Sequence, residues 1–481
     1  MLTMTQQGGT AHVLSPILTL NRYLMLGIQD SYYETEAEAL NKFIKTVSAA
    51  IDVNSGEVVA TILNARNKAP RPNACIIATA ILAAHPKHAD LGWGILSQVV
   101  RNGSHMQLFV RVAFQLRGWG RRPKRIIGEW YKGKGAFDVL KYGGRTWYGE
   151  RIETRQIFHK VHRQYINNDD LYNFVTDGVI PDSNTKDAEL IRAVSALPEM
   201  GEAEMLQTIT DYRLPWEMIP TEKRTKTMWE AILPHIGGTA LFRNMGTLAV
   251  RNVDPHVIQA ALARATEHPI NILVAWYMYR QGHGNRSDAT WIPNQVILES
   301  LEEAFYRGFD SVPKTDQKLF FGLDVSSSMN QKNLMGVEGL TPRTVAAVMA
   351  MQTVRTATNP LVYGFASELQ EFPINDTMTL GDVIKNMEDM RFGNTDISAP
   401  VRKMLTEDLD IDALLVYSDG QTNGKNDAIG LRKKYRAEHP LKYVEVNMVP
   451  NDLTFVYSAD DATFTGFAAD LPQSISTFLT V

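Results

Sequence analysis

Residues 319–328 read LFFGLDVSSS, an apolar run that ends in a carboxylate and three serines. Similar apolar runs occur at residues 361–365, 413–417 and 443–448. Stretches with helical patterns separate these runs. Continuous apolar strands that alternate with helices indicate a parallel sheet that is covered on both faces. The sequence therefore predicts a doubly wound, Rossmann-like α/β domain over residues 316–481.

Polar residues lie where the predicted strands end. Asp324, Ser326 and Ser328 follow the first strand, and residues 393–396 and 418–420 supply further oxygen atoms from two later loops. Ligands of such sheets bind beyond the carboxyl ends of the strands. Mg²⁺ prefers oxygen ligands and keeps several waters, so few protein ligands suffice. The alternative is that these residues only cap the helices that follow, as serine and aspartate often do.

The same residues resemble the metal-ion-dependent adhesion site of von Willebrand factor A domains, which combines Asp-x-Ser-x-Ser with a Thr on a second loop and an Asp on a third. The resemblance implies the metal ligands Asp324, Ser326, Ser328, Thr395 and Asp419. It implies Mg²⁺ or another divalent cation as the cofactor. Because hydroxyl ligands are neutral, they leave part of the charge of such a cation uncompensated. The cation therefore favours an added carboxylate from a partner. A hydrolytic site at Asp324, Asp396 and Asp419 would lack an obvious general base.

Residues 1–315 show a different pattern. Apolar residues recur at intervals of three and four, as in residues 40–47 and 76–81, and prolines interrupt them. This periodicity predicts amphipathic helices. Short helices joined by short loops predict an all-α solenoid of the HEAT-repeat kind, although no repeat of fixed period is present.

Composition excludes several classes of protein. The chain has 481 residues, of which 44% are hydrophobic and 21% are charged, so a mainly disordered chain is excluded. No run of about 18 apolar residues occurs, so no membrane-spanning helix is expected. The single cysteine, Cys75, excludes an internal disulfide and a zinc cage of cysteines. We therefore expect a reducing compartment, the cytoplasm.

Charge is distributed very unevenly. Residues 101–163 contain fifteen Lys or Arg and only four Asp or Glu, whereas the whole chain has a net charge of −4. A basic block within an acidic protein predicts a polyanionic partner. The alternative is an ordinary solvated helical face. Within the block, the pattern at residues 126–131 predicts a packed helix whose start presents arginines, and arginine is well shaped for phosphate.

Several motifs in a fixed order carry a wider resemblance. They lie at residues 118–121, 129–131, 239–246, 268–273, 282–284, 301–306 and 324–330. Together they resemble the Ro autoantigen family, whose N-terminal part is the TROVE module. The resemblance implies a HEAT-like helical-repeat ring over residues 1–315, closed by a von Willebrand factor A-like domain over residues 316–481. Because the chain is compact for this family, a bacterial or phage member is expected.

The resemblance also implies a function. Members bind small non-coding Y RNA on a basic outer surface and single-stranded RNA 3′ ends in the hole of the ring. They act in RNA quality control or as a scaffold for an exoribonuclease such as polynucleotide phosphorylase, and are not enzymes themselves. A monomeric ring is expected. The predicted RNA-binding residues are Arg111, Arg117, Arg121, Arg122, Lys124, Arg125, Lys132, Lys134, Lys141, Arg145, Arg151, Lys160, His162 and Arg163.

One segment departs from the family pattern. Where the family has Gly-Trp-Ser-His after the basic helices, residues 145–151 read RTWYGER. This departure leaves the contacts to Y RNA open. Two other functions also stay open: a metal-dependent protein-interaction module with incidental RNA binding, and a metal-dependent nuclease.

Overall fold

The computed structural model confirms a helical N-terminal part followed by an α/β part with a central sheet. It describes residues 2–5, 8–28, 36–143, 154–161, 163–284, 287–309, 312–330, 333–391, 393–423 and 427–480. The boundary at residue 315 remains a prediction. No helix among the described residues is long and apolar enough to cross a membrane.

The first part is built from short helices. They are Pro16–Leu26 (α1), Glu36–Lys68 (α2), Asn73–Ala84 (α3), Ala89–Gly94 (α4), Leu96–Val99 (α5), Gly103–Arg117 (α6), Arg121–Lys132 (α7), Ala136–Lys141 (α8), Thr154–Lys160 (α9), Arg163–Ile166 (α10), Asp169–Asp177 (α11), Lys186–Ala196 (α12), Glu202–Tyr212 (α13), Lys226–Ile232 (α14), Gly238–Arg243 (α15), Met245–Val250 (α16), Pro255–Arg264 (α17), Pro269–Gln281 (α18) and Gln295–Arg307 (α19). Consecutive helices pack on one another, as α1 does on α2 and α18 on α19. Non-helical backbone at Asn54 divides α2 into two segments.

The second part alternates strands and helices. Its helices are Ser327–Asn330 (α20), Pro342–Val354 (α21), Leu380–Asp389 (α22), Ala399–Thr406 (α23), Ala428–Arg436 (α24) and Leu471–Thr480 (α25). The strands among the described residues are Leu2–Met4 (β1), Thr10–Val13 (β2), Leu319–Asp324 (β3), Leu361–Phe365 (β4), Leu369–Glu371 (β5), Ala413–Ser418 (β6), Lys442–Asn447 (β7), Leu453–Thr454 (β8) and Asp461–Thr465 (β9). The four apolar runs of the sequence are β3, β4, β6 and β7.

Six strands form the central sheet in the order β5-β4-β3-β6-β7-β9. All neighbours are parallel except β4 and β5. Both β3 and β6 are buried along their whole length, which is why they read as unbroken apolar runs.

Each face of this sheet has its own core. Along β3, Phe321 joins a cluster with α21, α22 and α25 that continues into the helical part, whereas Phe320 joins a second cluster with α23 and α24. This alternation follows from the period of two along a strand. The first cluster therefore forms one continuous hydrophobic core between the helical part and one face of the sheet.

A small second sheet was not expected from the sequence. Strands β1, β2 and β8 form it, and both pairs are antiparallel. His12 is opposite Thr454 and Val13 is opposite Leu453 in the register. The first strands of the chain thus pair with a two-residue strand near its C-terminus, and neither local pattern was long enough to predict this.

Candidate metal centre and basic surface

The predicted metal ligands lie at the point where the strand order of the sheet reverses. From β3 the chain crosses to β4 on one side and later returns to β6 on the other side. Such a switch point opens a crevice at the carboxyl ends of the two strands. Asp324 is the last residue of β3, and Asp419 directly follows β6. Tertiary topology therefore brings together two carboxylates that are far apart in sequence.

Hydrogen bonds hold the first loop in place. Asp324 accepts the backbone N–H of Ser326 on Oδ1 at 2.9 Å. Its Oδ2 accepts the hydroxyl of Ser418, at the end of β6, at 2.7 Å. The hydroxyl oxygens of Ser326 and Ser328 lie 3.1 Å apart. The Asp-x-Ser-x-Ser residues thus form one connected, buried group of oxygen atoms.

Backbone hydrogen bonds bring Thr395 to the same group. The N–H of Ser327 donates to the carbonyl of Gly393 at 3.2 Å, and the N–H of Asn423 donates to the carbonyl of Thr395 at 2.9 Å. Thr395 is fully buried, yet its hydroxyl has no hydrogen-bond partner among the described residues. An unsatisfied buried hydroxyl costs about 1–3 kcal/mol. The Thr395 hydroxyl is therefore a buried oxygen atom whose hydrogen-bonding capacity is not used within the described residues.

The electrostatics of the two carboxylates favour a cation. Burial and, to a smaller extent, the neighbouring charge of Asp419 together raise the pKa of Asp324 to about 7, against hydrogen bonds from Ser326 and Ser418. Burial also raises the pKa of Asp419, against a hydrogen bond from Ser328. No Lys, Arg or His of the described ranges forms an ion pair with either carboxylate.

Asp396 belongs to a different arrangement. Its Oδ1 accepts the N–H and the hydroxyl of Ser398, at 3.1 and 2.5 Å, and Oδ2 forms an ion pair with Arg402. Its negative charge is thus paired with that of Arg402 on α23. No three His, Cys, Asp or Glu side chains in the described part of the chain cluster as metal ligands. A cation here would depend on hydroxyl oxygens, which suits a hard divalent ion.

The basic block lies on short helices of the first part. Arg111 and Arg117 are exposed on α6, Arg121 and Arg125 are exposed on α7, and Lys124 is partly exposed there. Exposed or partly exposed positions on α7 to α10 hold the remaining described members: Arg122, Lys132, Lys134, Lys141, Lys160 and Arg163. Arg145, Arg151 and His162 lie outside the described residues. The structure thus presents the described members to solvent.

Ion pairs occupy only a minority of these cations. Arg122 pairs with Asp90, Arg125 with Glu129, and Arg163 with Asp169. Each of these pairs is about half exposed or more, so it contributes little to stability and can be exchanged. Within the described ranges, no acidic side chain pairs with Arg111, Arg117, Arg121, Lys124, Lys132, Lys134, Lys141 or Lys160.

Aromatic side chains in the block mainly serve packing. Tyr131 is buried, and Trp130 donates its indole N–H to the carbonyl of Val100 at 2.8 Å. Phe114 and Trp119 stack with ring centroids 3.6 Å apart at the turn between α6 and α7. The aromatic residues thus support the helices that carry the cations.

A second basic cluster was missed by the sequence analysis. Arg66 Nη2 lies 3.5 Å from Nδ1 of His105, and the backbone N–H of Arg101 donates to the same nitrogen at 3.3 Å. Burial and the charges of Arg66, Arg101 and Arg243 lower the pKa of His105 to about 4. No described carboxylate pairs with these arginines. Arg66 lies on α2, Arg101 just before α6 and Arg243 at the end of α15, so no local pattern could have shown the cluster.

Comparisons with known proteins agree with this architecture. Residues 318–479 match the sequence model of the Ro60 vWA domain. The RNA-binding protein RO60 of Deinococcus radiodurans is 29% identical over 443 residues, which cover 86% of this chain and 82% of that protein. The RNA-binding protein RO60 of Caenorhabditis elegans is 24% identical over 577 residues, which cover 98% and 89% of the two chains.

The chain is thus similar in sequence to Ro proteins over most of its length. Its fold matches the crystal structure of the Deinococcus radiodurans RO (RSR) protein with a TM-score of 0.67 and 24% identity, over 97% of this chain and 99% of that one. The predicted von Willebrand factor A (vWA) domain is confirmed by the match of residues 318–479 to the Ro60 vWA sequence model.

Proposed function

We propose that the protein binds RNA through the basic surface formed by α6 to α10. The first turn of α7 carries the argument. Helices favour acidic residues and a side-chain cap at their start, because four N–H groups and the helix dipole are positive there. This turn has no acidic residue and no side-chain cap, but it carries Arg121, Arg122 and Lys124. Such an arrangement opposes helix stability and favours a bound phosphate.

Two features support an RNA ligand over other polyanions. The relatives described above are named RNA-binding proteins. The cluster of Arg66, Arg101 and Arg243 around His105 offers a further set of cations for a single strand. We propose a small structured RNA of the Y type on the helices and a single-stranded 3′ end at this cluster. A bound RNA of this kind would suit presentation to an exoribonuclease such as polynucleotide phosphorylase.

Sequencing the RNA that co-purifies with the full chain tests this proposal. Small structured RNAs should be enriched, and their affinity should fall steeply with salt because Lys and Arg displace condensed counterions. Incubation of labelled RNA with the protein and Mg²⁺ distinguishes binding from cleavage. Intact RNA is expected, whereas specific cleavage would support the nuclease alternative.

A second function is favoured by the assembled oxygen ligands. We propose that Asp324, Ser326, Ser328, Thr395 and Asp419 hold Mg²⁺ or another divalent cation. The unpartnered hydroxyl of Thr395 and the carboxylate pair without a cationic partner support this fit. When bound, the cation would supply a coordination position for a carboxylate of a protein partner.

Chelation separates the two functions. Removing divalent cations, or combining Ser326→Ala with Thr395→Ala, should abolish capture of the protein partner. RNA affinity should persist, since the basic helices are built from other residues. Loss of RNA binding on chelation would contradict this division.

A further inference from the structure

The loop that carries Asp419 is held by residues from the other end of the chain. Residues 419–423, the Asp419 loop, follow β6. Thr5 donates its hydroxyl to the carbonyl of Thr422 at 2.7 Å, and the N–H of Gly9 donates to the same carbonyl at 3.0 Å. Both threonines are buried. Hydrogen bonds shielded from water in this way hold their groups more strongly than exposed ones do.

A second contact reaches the loop through one side-chain amide. Asn451 donates Nδ2–H to the backbone carbonyl of Asp419 at 2.6 Å and accepts from Arg22 Nη1 on Oδ1 at 2.8 Å. Arg22 lies on α1 and is buried. Its other donors reach Glu445 at 2.8 Å and Thr463 at 2.9 Å. One amide thus links the helical part to the backbone of a predicted metal ligand.

Gly420 shows how closely this amide fits. Its φ of +75° lies in the left-handed region, and a Cβ atom there would lie 3.2 Å from Nδ2 of Asn451. The loop therefore packs directly against the amide. A displacement of Asn451 would move the backbone next to the Asp419 carboxylate.

We infer that Thr5 and Gly9 at the hairpin of β1 and β2, together with Arg22 on α1, position the metal site. The hairpin of β1 and β2 holds Thr422, and Arg22 holds Asn451, so the Asp419 loop is correctly placed only while the helical part is docked on the vWA domain. Metal affinity then depends on that docking. Because coupling is reciprocal, metal binding also strengthens docking of the hairpin. This inference rests on the proposed metal site.

Metal affinity of point variants in the full chain tests the inference, with Mn²⁺ as the probe in calorimetric titrations. Thr5→Val and Asn451→Ala should each weaken Mn²⁺ binding about tenfold, the lower end of the range for residues that orient metal ligands. Thr5→Ser keeps the hydroxyl and should restore the affinity. None of these residues contributes a predicted ligand atom.

Thr463→Val is the matched control. It removes another, partly buried hydrogen bond of Arg22 but leaves the contact with Asn451. It should lower the melting temperature while Mn²⁺ affinity stays at the wild-type value. If Thr5→Val and Asn451→Ala bind Mn²⁺ as tightly as the wild type, the positioning role is wrong although the metal site stands. A wild-type chain that binds no Mn²⁺ overturns the metal site and this inference together.

A measurement on the wild-type chain keeps the inference falsifiable if the variants do not fold. Amide hydrogen exchange of the peptide covering residues 8–14 should slow when Mn²⁺ is added, because the hairpin and the metal site stabilise each other. Residues 255–264, on α17 in the helical part, serve as a reference that should not change. Equal exchange of residues 8–14 with and without Mn²⁺ would refute the coupling.

Discussion

The sheet edge, where the central strands β3 and β6 of the vWA domain end, and the basic surface of the helical part differ in the sign and in the burial of their charges. At the sheet edge, Asp324 and Asp419 are buried, and hydrogen bonds from neighbouring backbone and hydroxyl groups hold them in place. On α6 and α7, Arg117 and Arg121 point into solvent with no ionic partner among the described residues. The first region places two carboxylates in the protein interior, whereas the second spreads many cationic side chains over the solvent-exposed surface.

This difference shows how each region would recognise a ligand. A buried group cannot rearrange, so geometry and desolvation decide what binds there, and the loss of a single atom matters. An exposed cation is mobile and screened, so binding depends on the number of charges and on salt. We therefore expect single substitutions to abolish function at the sheet edge and only combined substitutions to do so on the helices.

The largest effect is expected for Asp419→Asn. Loss of a charged ligand should weaken Mn²⁺ binding by about 100-fold or more, as titration calorimetry would show, since even residues that only orient ligands are worth about 10–100-fold. In the absence of metal the same change should raise the melting temperature, because it removes one of two buried like charges. Asp396→Asn, next to the site, should leave Mn²⁺ affinity unchanged. A metal-free Asp419→Asn protein that is less stable than the wild type would contradict the electrostatic account.

Charge reversal of Arg121, Arg122 and Arg125 to Glu tests the basic surface. If each contacts a phosphate of a double-helical segment of the RNA, RNA affinity at physiological salt should fall on the order of 100-fold, and the slope of log K against log salt should decrease by about 3. Fluorescence anisotropy over a salt series measures both quantities. Reversal of Lys385, Lys433 and Lys434, which are exposed on α22 and α24, is the matched control and should change neither. Equal effects of the two triple variants would disprove a localised RNA surface.

The pH dependence of stability gives a smaller effect at the sheet edge. The folded-state pKa of Asp324, about 7, lies above its unfolded value of 3.8. The metal-free fold therefore binds the extra proton and loses stability as pH rises from about 4 to above 7, and the loss between pH 5 and pH 8 is on the order of 3 kcal/mol. Urea unfolding at pH 5 and pH 8 measures this loss. The loss should disappear in Asp324→Asn, and saturating Mg²⁺ should oppose it at pH 8.

The smallest effect is expected for Arg101→Gln in the second basic cluster. One phosphate contact to a single strand is worth about fourfold in affinity at physiological salt. Binding of a single-stranded oligonucleotide should weaken by that amount, while the melting temperature changes little because Arg101 is exposed. Lys45→Gln, at an exposed position of α2, provides the comparison. A single-strand affinity equal to that of the wild type would exclude this cluster from RNA binding.

The elements of the fold that the sequence predicted are those with a clear local pattern of apolar residues. The runs that became β3 and β6 are buried on both faces, so they had to be continuously apolar, and their type was readable. In the same way, spacing in the sequence indicated the helix at Arg121–Lys132. The strand pairing of Val13 with Leu453 was not readable, because each strand is too short to carry a periodic signal.

The candidate sites show the same difference between residues that are close in sequence and residues that only the fold brings together. Asp324, Ser326 and Ser328 are neighbours in the chain, so a motif could name them. The sequence by itself determined which residue types are available: a carboxylate and hydroxyls at the end of a buried strand, and a dense run of cations on short helices. Only the tertiary structure decided which of them meet. It placed Asp419 beside Asp324 through the switch in strand order, gathered Arg66 and Arg101 around His105, and linked Asn451 to Arg22. The physical reason is that charge, burial and hydrogen bonding act through space, whereas periodicity and motifs are limited to neighbours along the chain.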